Sequence, residues 1–397
     1  MSLVSEPIRS APSVRMGRDE IVVYRSFGEA EAAWRTLEAE GVVTPYQRFD
    51  WMRAYVEAGG EPDGQLAIAV LFEGEQPQAL LPIMVLGRHG VARGHLIGTE
   101  ISNCDWVPMR SGFALCPELV ERMLEAIRQA IGGLDLMSFY NLPARWQGLD
   151  NPLLGPQCDP SPNNIYLAEI AASDEPFIDV HLSGKKRANI KRGARRLEET
   201  FGPVRLVHVT DGPELRKVHA IFLAQRGERF EQMGICNIFA EPHFQRFFSE
   251  LALLGFGEQR PALVFHALYA GDEVVATSCG TFSGTHFSQY INSTASGPAA
   301  KFSLMGILVA ELLDELTRAG ITSFDMGIGD FDYKTDWTHA HGLWNRQIPV
   351  TAKGRVAAQV LRARQGLKRI IKQNPAFWAF ARKVRLTLFR LRTGKSA

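Results

Sequence analysis

The spacing of apolar positions divides the chain into short strands and amphipathic helices. "EIVVYRS" reads as a strand. "FGEAEAAWRTLEAEG" has helical spacing at Ala30, Trp34 and Leu37 and stops at a glycine. "RFDWMRAYVEAGG" is a second, shorter helix with the same kind of stop. "QLAIAVLFEGEQPQALLPIMVLG" reads as two strands joined at "EGEQPQ", and "GVARGHLIGTEIS" as a third. "PELVERMLEAIRQAIGG" predicts a helix and "LDLMSFYNL" a buried strand. These elements make a mixed α/β unit over residues 19–150, preceded by a flexible lead over 1–18. Pro, Gly and Asn then concentrate in residues 148–163, which predicts a connector, set at 151–175 in the domain division.

A second unit over 176–353 repeats the plan. "FIDVHL" reads as a strand, and "SGKKRANIKRGARRLEETFG" as a helix that Ser183 caps. "PVRLVHV" is a strand, and two helices follow in "GPELRKVHAIFLAQRGERFEQMG" and "EPHFQRFFSELALLGFG". Three strands come next, with Gly271-Asp272 and Ser283-Gly284 at their turns. "SGPAAKFSLMGILVAELLDELTRAG" is a loop running into a long helix, "ITSFDM" a strand, and "RQIPVTA" a last strand. From residue 354 the pattern is helical, broken at Pro375. Phe377, Phe380, Ala381, Val384, Leu388 and Leu391 share one stripe of the second tail helix.

Composition fits this picture of two globular units. With 397 residues, 46% hydrophobic and 22% charged, the chain exceeds one ordinary core and is not of disordered type. Charge is uneven. The net charge is +1, yet the residues from Arg355 onward carry twelve Lys or Arg and no Asp or Glu, leaving about −11 for the remainder. A basic, amphipathic tail predicts contact with an anionic membrane surface; packing on the body or on another subunit is the alternative. Five scattered cysteines (Cys104, Cys116, Cys158, Cys236, Cys279) contain no CxxC pair and indicate a reducing compartment without a disulfide framework. The first twenty residues lack the apolar segment of a secretory signal, and no run of eighteen apolar residues occurs. The expected location is cytoplasmic, peripheral on the inner face of the membrane.

Two stretches carry candidate chemistry. The loop "ASGPAAKFSLMG" opens the long helix, whose first N–H groups and dipole suit a pyrophosphate. Its small residues allow close approach, and Lys301 adds charge. The stretch "MGIGDFDYKTDW", residues 326–337, gathers glycines, aromatics, acids and a lysine after a strand. Plain structural roles stand beside functional ones here. Gly327 and Gly329 suit backbone shape, Asp330 a turn, Tyr333 and Trp337 packing, and Lys334 a pairing with Asp330 or Asp332. Tyr290 and Asn292 alternate with Ile291 and so are expected on one sheet face. Arg226 and Arg229, three apart on a helix, suit either an acidic substrate or helix ion pairs. Seven of the twelve residues 185–196 are basic, a solvated face or an anion-binding one. "HAH" at 339–341 and Cys279 point to no metal site and no thiol nucleophile.

The stretch "FDMGIGDFDYKTDW" resembles the GNAT superfamily of acyl-CoA N-acyltransferases, specifically its CelD-like (cellulose-biosynthesis type) branch. Asp325, Gly329, Asp330, Tyr333, Lys334 and Trp337 fall on that branch's motif, with Phe331 in place of its usual Glu. The helix "KKRANIKRGARRLEE" is similar to one in that branch and in the related FemAB-like transferases. The loop before the long helix departs from the branch's Ser-Pro-Gly, carrying Ser296, Gly297 and Pro298. The resemblance covers about 20–353. It implies an α/β fold of two tandem GNAT-like lobes with mixed, mostly antiparallel sheets flanked by helices, the first degenerate, plus the basic helical tail. It implies transfer of an acyl group from acyl-CoA (acetyl-CoA), without a metal, to a small-molecule amine acceptor: a sugar, an amino acid or a cell-envelope or exopolysaccharide precursor. The acyl group would lie in a splayed gap between "HFSQYINST" and "ITSFDM". Asp325 or Asp330 would take the amine's proton and Tyr333 would protonate the leaving thiolate. Gly297, Lys301, Ser303 and Lys334 would hold the cofactor, and Tyr290, Asn292, Arg226 and Trp337 the substrate. The alternatives are a FemAB-like transferase using aminoacyl-tRNA, in which alone a nucleic acid is a partner, and a non-catalytic, membrane-attached accessory protein of polysaccharide synthesis.

Overall fold

A computed structural model describes residues 13–16 and 19–393. The chain divides into two compact units: residues 1–49, 61–159 and 344–362, and residues 50–60, 160–343 and 363–397.

The first unit is built on a mostly antiparallel sheet. Its order runs Ser13–Met16, Asp19–Tyr24, Gln65–Glu73, Gln76–Arg88, Val91–Leu96, Leu136–Pro143 and then the end of His339–Pro349. Val91–Leu96 and Leu136–Pro143 are parallel. The helices Phe27–Glu40 and Pro117–Ile131 pack on this sheet. The first begins with a reciprocal cap: Glu29 N–H donates to Ser26 Oγ at 3.3 Å, and that hydroxyl donates to Glu29 Oε2 at 2.8 Å. The second starts at a proline and ends at Gly132, whose φ of +73° is the left-handed region. The lead expected over 1–18 is a strand at Ser13–Met16, paired with Asp19–Val22; the rest of that lead lies outside the described residues.

The second unit carries a sheet in the order Cys158–Glu169, Ser323–Ile328, His286–Thr294, Glu273–Ser283, Val264–Ala270 and Val204–His208. All of its pairings are antiparallel except that of His286–Thr294 with Ser323–Ile328. Alternate side chains separate its two faces. Val264 and Leu268 join the core under the helices Gly184–Phe201 and Leu304–Arg318. Phe265 packs instead with His219, Phe222 and Phe248 of the helices Gly212–Met233 and Pro242–Leu254. The turns at Gly271 and Gly284 have φ of +59° and +55°, which favours glycine.

Three local expectations are corrected. The connector set at 151–175 contains the strand Cys158–Glu169, an element its Pro and Asn content hides. "FIDVH" is a short helix, Phe177–His181, whose N–H at Phe177 is taken by Asp314 Oδ1 at 2.7 Å. Ser183 occupies the N-cap position of the next helix, but its side chain makes no capping bond. The tail is two helices, Ala352–Gln373 and Pro375–Thr393; between them Asn374 Oδ1 accepts from the N–H groups of Ala376 and Phe377 at 3.0 and 3.2 Å. Among the described residues no helix is long and apolar enough to cross a membrane.

Candidate active site

The parallel strands His286–Thr294 and Ser323–Ile328 are in register over His286–Ser323, Phe287–Phe324 and Ser288–Asp325. That register ends at Asp325, although both strands continue to Thr294 and Ile328. The unit therefore holds a fork with a closed end and an open end.

Asp325 pins the closed end. Its side chain is 0% exposed. Oδ1 accepts from Ser288 Oγ at 2.9 Å and from Gly327 N–H at 2.6 Å, while Oδ2 meets His286 Nε2 at 2.8 Å. His286 Nδ1 in turn lies 2.6 Å from Ser323 Oγ. A fully buried carboxylate with both oxygens engaged by fixed partners is shielded from an incoming amine. Asp325, expected as a proton acceptor, instead ties the two strands together at the closed end of the fork.

A β-bulge lies just beyond. Cys279 faces Ile291, but Thr281 faces Ser288, so one extra residue is accommodated in His286–Thr294. An extra residue shifts the two-residue alternation of side chains by one. Tyr290 consequently meets Trp51 at 5.2 Å and Phe248 at 6.1 Å, while Asn292 Nδ2 points to Tyr333 Oη at 3.5 Å. The expectation that Tyr290 and Asn292 share one face fails for this reason. Tyr290 belongs to an aromatic cluster, and Asn292 belongs to the fork.

The open end collects groups from four elements. Arg226, on the helix Gly212–Met233, donates from Nη1 to the Asn292 carbonyl at 3.3 Å and stacks over Phe230 at 4.5 Å; its buried Nε has no partner among the described residues. Burial lowers its pKa to about 10, while Tyr333 raises and Arg229 lowers it further. Tyr333 is raised above its ordinary value by burial, against the opposing pull of Asn292 and Arg226, so its hydroxyl stays protonated at neutral pH. Lys334 is 4% exposed, and its Nζ donates to the Ile328 carbonyl at 2.9 Å. Burial brings its pKa down to about 8 despite Asp325 and Asp330 nearby. Its ammonium, expected at a cofactor phosphate, caps strand-end carbonyls here.

The mouth of the fork is framed by Asp330, which is exposed. Its Oδ1 accepts from Asn164 Nδ2 at 3.1 Å and from Tyr166 Oη at 2.9 Å. Burial and the Asp330 carboxylate raise the Tyr166 hydroxyl's pKa. Lys372 of the first tail helix donates to Asn163 Oδ1 at 2.6 Å and feels the Asp330 charge. Sequence reasoning missed Asn164, Tyr166 and Lys372, since the first two lie in a strand read as a connector. The motif's Phe331 is exposed beside Tyr333, with ring centroids 6.1 Å apart. Trp337 is only 7% exposed and stacks on Phe177 at 6.3 Å, so it is core and not substrate-facing.

A pocket of about 220 Å³ opens at the start of the helix Leu304–Arg318, lined by Thr294, Ala295, Ala300, Ser303, Leu304, Met305 and Gly306. Ser303 holds φ +57° and caps nothing with its side chain. Small residues and an uncapped helix start fit a phosphate group. Of the loop residues expected here, Ser303 lines the pocket. Gly297 does not, and Lys301 is drawn over the Phe302 ring at 4.9 Å. The basic helix packs directly on this loop: a Cβ on Gly193 would come within 2.6 Å of the Phe302 carbonyl oxygen. Its Lys186 pairs with Asp336, and Lys191 with Asp179 at 2.7 Å, so part of its charge is structural. Cys279 is fully buried, which pushes its thiol well up. A pocket of about 230 Å³ lies at the opposite edge of the sheet, beside His208. There His208, His266 and Glu315 form the one group among the described residues with metal-ligating side chains close together.

Residues 184–335, which include the bulge, the pocket and the fork, match the family model described as an acetyltransferase (GNAT) domain. Among solved structures, FemX superposes with a TM-score of 0.59 at 9% identity, covering 85% of this chain and 99% of that one. The C-terminal domain of a putative lysylphosphatidylglycerol synthetase from Agrobacterium fabrum gives 0.49 at 14% identity, over 84% and 96% of the two chains. A tandem GNAT protein from the clavulanic acid biosynthesis pathway gives 0.44 at 11% identity, over 84% and 100%. At such identities the FemX likeness is one of fold. No curated protein matches the sequence.

Proposed function

We propose, from the premise that residues 184–335 belong to the acetyltransferase (GNAT) domain family, that this chain moves an acyl group from acyl-CoA to the amine of a small sugar, amino-acid or envelope-precursor acceptor. The observation that carries this reading is the pairing of an open strand fork with an uncapped helix start and its pocket in one unit. Acyl-CoA, when bound, supplies a thioester carbonyl open to attack and a thiolate that leaves. Ser303 and the N–H groups at the start of the helix Leu304–Arg318 hold the phosphates. The fork receives the acyl arm. Arg226, with its Nε unpaired, orients the acyl carbonyl or an anionic group of the acceptor. As the amine nitrogen bonds to the carbonyl carbon, its proton passes to Asp330, an exposed carboxylate whose Oδ1 is fixed by Asn164 and Tyr166. The carbon–sulfur bond then breaks, and the Tyr333 hydroxyl supplies the proton to sulfur.

Thiol release from acetyl-CoA, measured against a panel of amino sugars and amino acids, tests the reading. Saturable release with at least one acceptor supports it. Absence of release, together with transfer from aminoacyl-tRNA that ribonuclease abolishes, would replace it with the tRNA-dependent reading.

A further inference from the structure

The two tail helices carry nine large apolar side chains in the open, among them Val356 and Val360 at the start of the first. Phe377, Phe380, Val384, Leu388 and Leu391 recur at helical spacing on Pro375–Thr393, and their exposures run from 39% at Val384 to 75% at Leu391. Leu367 and Ile370, near the end of the preceding helix, are 60% and 59% exposed. This stripe is not how the last helix meets its own unit. That helix packs on the end of Gly212–Met233 through a different side: a Cβ on Gly234 would come within 2.8 Å of Leu386 Cα, and Trp378, Arg385, Leu386 and Phe389 are the less exposed residues. Trp378 stacks with Arg385 at 5.9 Å. The apolar stripe is thus left outward on a helix that is already docked. Its exposed flank carries Lys383 and Arg390, seven residues apart on one side, and no acid occurs after Arg355.

We propose that the outward face of the tail lies in the interface of an anionic lipid membrane. The apolar stripe enters at the level of the acyl chains, while Lys383, Arg390 and their neighbours meet the headgroup phosphates. Charge selects this occupant over a tail-to-tail pairing of two copies. Any pairing of two tails sets cations against cations, whereas an anionic lipid surface complements them. Lys372, at the junction of the helices, donates to Asn163, the residue before the Asn164 that holds Asp330, so docking would bring the mouth of the fork toward the bilayer.

The test is flotation of the full chain with vesicles of phosphatidylcholine alone or containing about a quarter phosphatidylglycerol. The chain should float with the anionic vesicles and not with the neutral ones, and binding should fall about tenfold or more between roughly 0.05 and 0.5 M salt. Phe380→Ser combined with Leu388→Ser and Leu391→Ser should weaken partitioning at least about tenfold while helix content and thiol release from acetyl-CoA stay unchanged. Lys383→Glu with Arg390→Glu should do the same for anionic vesicles. No flotation at either composition overturns the proposal. So does unchanged binding by the triple variant, or a dimer in light scattering that the triple variant dissociates without any vesicle binding. Because flotation needs no acyl donor, a failed acyl-CoA assay leaves this result separately readable.

Discussion

The closed and open ends of one strand fork differ in how their polar groups are satisfied. At the closed end Asp325, His286, Ser288, Ser323 and Gly327 N–H form a buried network in which each partner meets another. At the open end Arg226 keeps an unpaired Nε, Tyr333 has one long contact at 3.5 Å, and Lys334 holds its ammonium against strand-end carbonyls at a pKa near 8. A network with both carboxylate oxygens engaged fixes geometry. One with unused donors in a sheltered place waits for a ligand. The same two strands thus border a satisfied network and unpaired polar groups within a few residues of each other.

The largest effect should come from breaking the closed end. Asp325→Ala leaves the Ser288 hydroxyl, the Gly327 N–H and the His286 ring without their acceptor, and should cost about 3–5 kcal/mol in denaturant unfolding. A loss under about 1 kcal/mol would show that the network is not what shapes the fork. At the open end, Tyr333→Phe should lower turnover about a hundredfold or more with a stability change under about 1 kcal/mol, read by thiol release and melting. Unchanged turnover would remove Tyr333 from the chemistry.

Lys334 gives a pH signature. Its folded pKa of about 8 lies below its ordinary value of 10.5. Below pH 8 both folded and unfolded forms hold the proton, and the burial penalty is fully present. Between about pH 8 and 10.5 the folded form releases it first, so stability rises with pH, by at most about 3 kcal/mol. Urea midpoints of the wild type against Lys334→Met at pH 7 and pH 10 should show this rise; a flat difference would place the ammonium in solvent. The smallest effect is expected for Arg226→Met, which should lower kcat/KM about tenfold with kcat less affected, consistent with a binding role.

Much of the fold was legible because apolar periodicity and turn glycines state it directly. The hairpins at Gly271 and Gly284 and the long helix after the Gly-Pro loop are examples. The motif at 325–337 lies along the fork, but its side chains divide differently from the expectation. Asp325 is structural because it meets His286 and Ser288 across a parallel pair, a contact 37 to 39 residues away in sequence that no local pattern encodes. The bulge that separates Tyr290 from Asn292 is one extra residue in an otherwise regular alternation, invisible until the partner strand fixes the register. Lys334 was expected to pair with Asp330 or Asp332 because its sequence neighbours are acids; only the packing of Tyr166 and Phe331 around it encloses the ammonium. Asn164 and Tyr166 escaped because a Pro-rich strand start resembles a linker.

The central claim is that the open fork and the pocket at the helix start form a single acyl-CoA site. Calorimetric titration of acetyl-CoA into the wild type and into Ala300→Trp, which fills the pocket lined by Thr294, Ser303 and Gly306, tests it most directly. The account predicts saturable one-to-one binding in the wild type and at least about tenfold weaker binding in the variant, with both proteins melting alike. No heat in the wild type at saturating ligand, or equal binding by the two proteins, would contradict it.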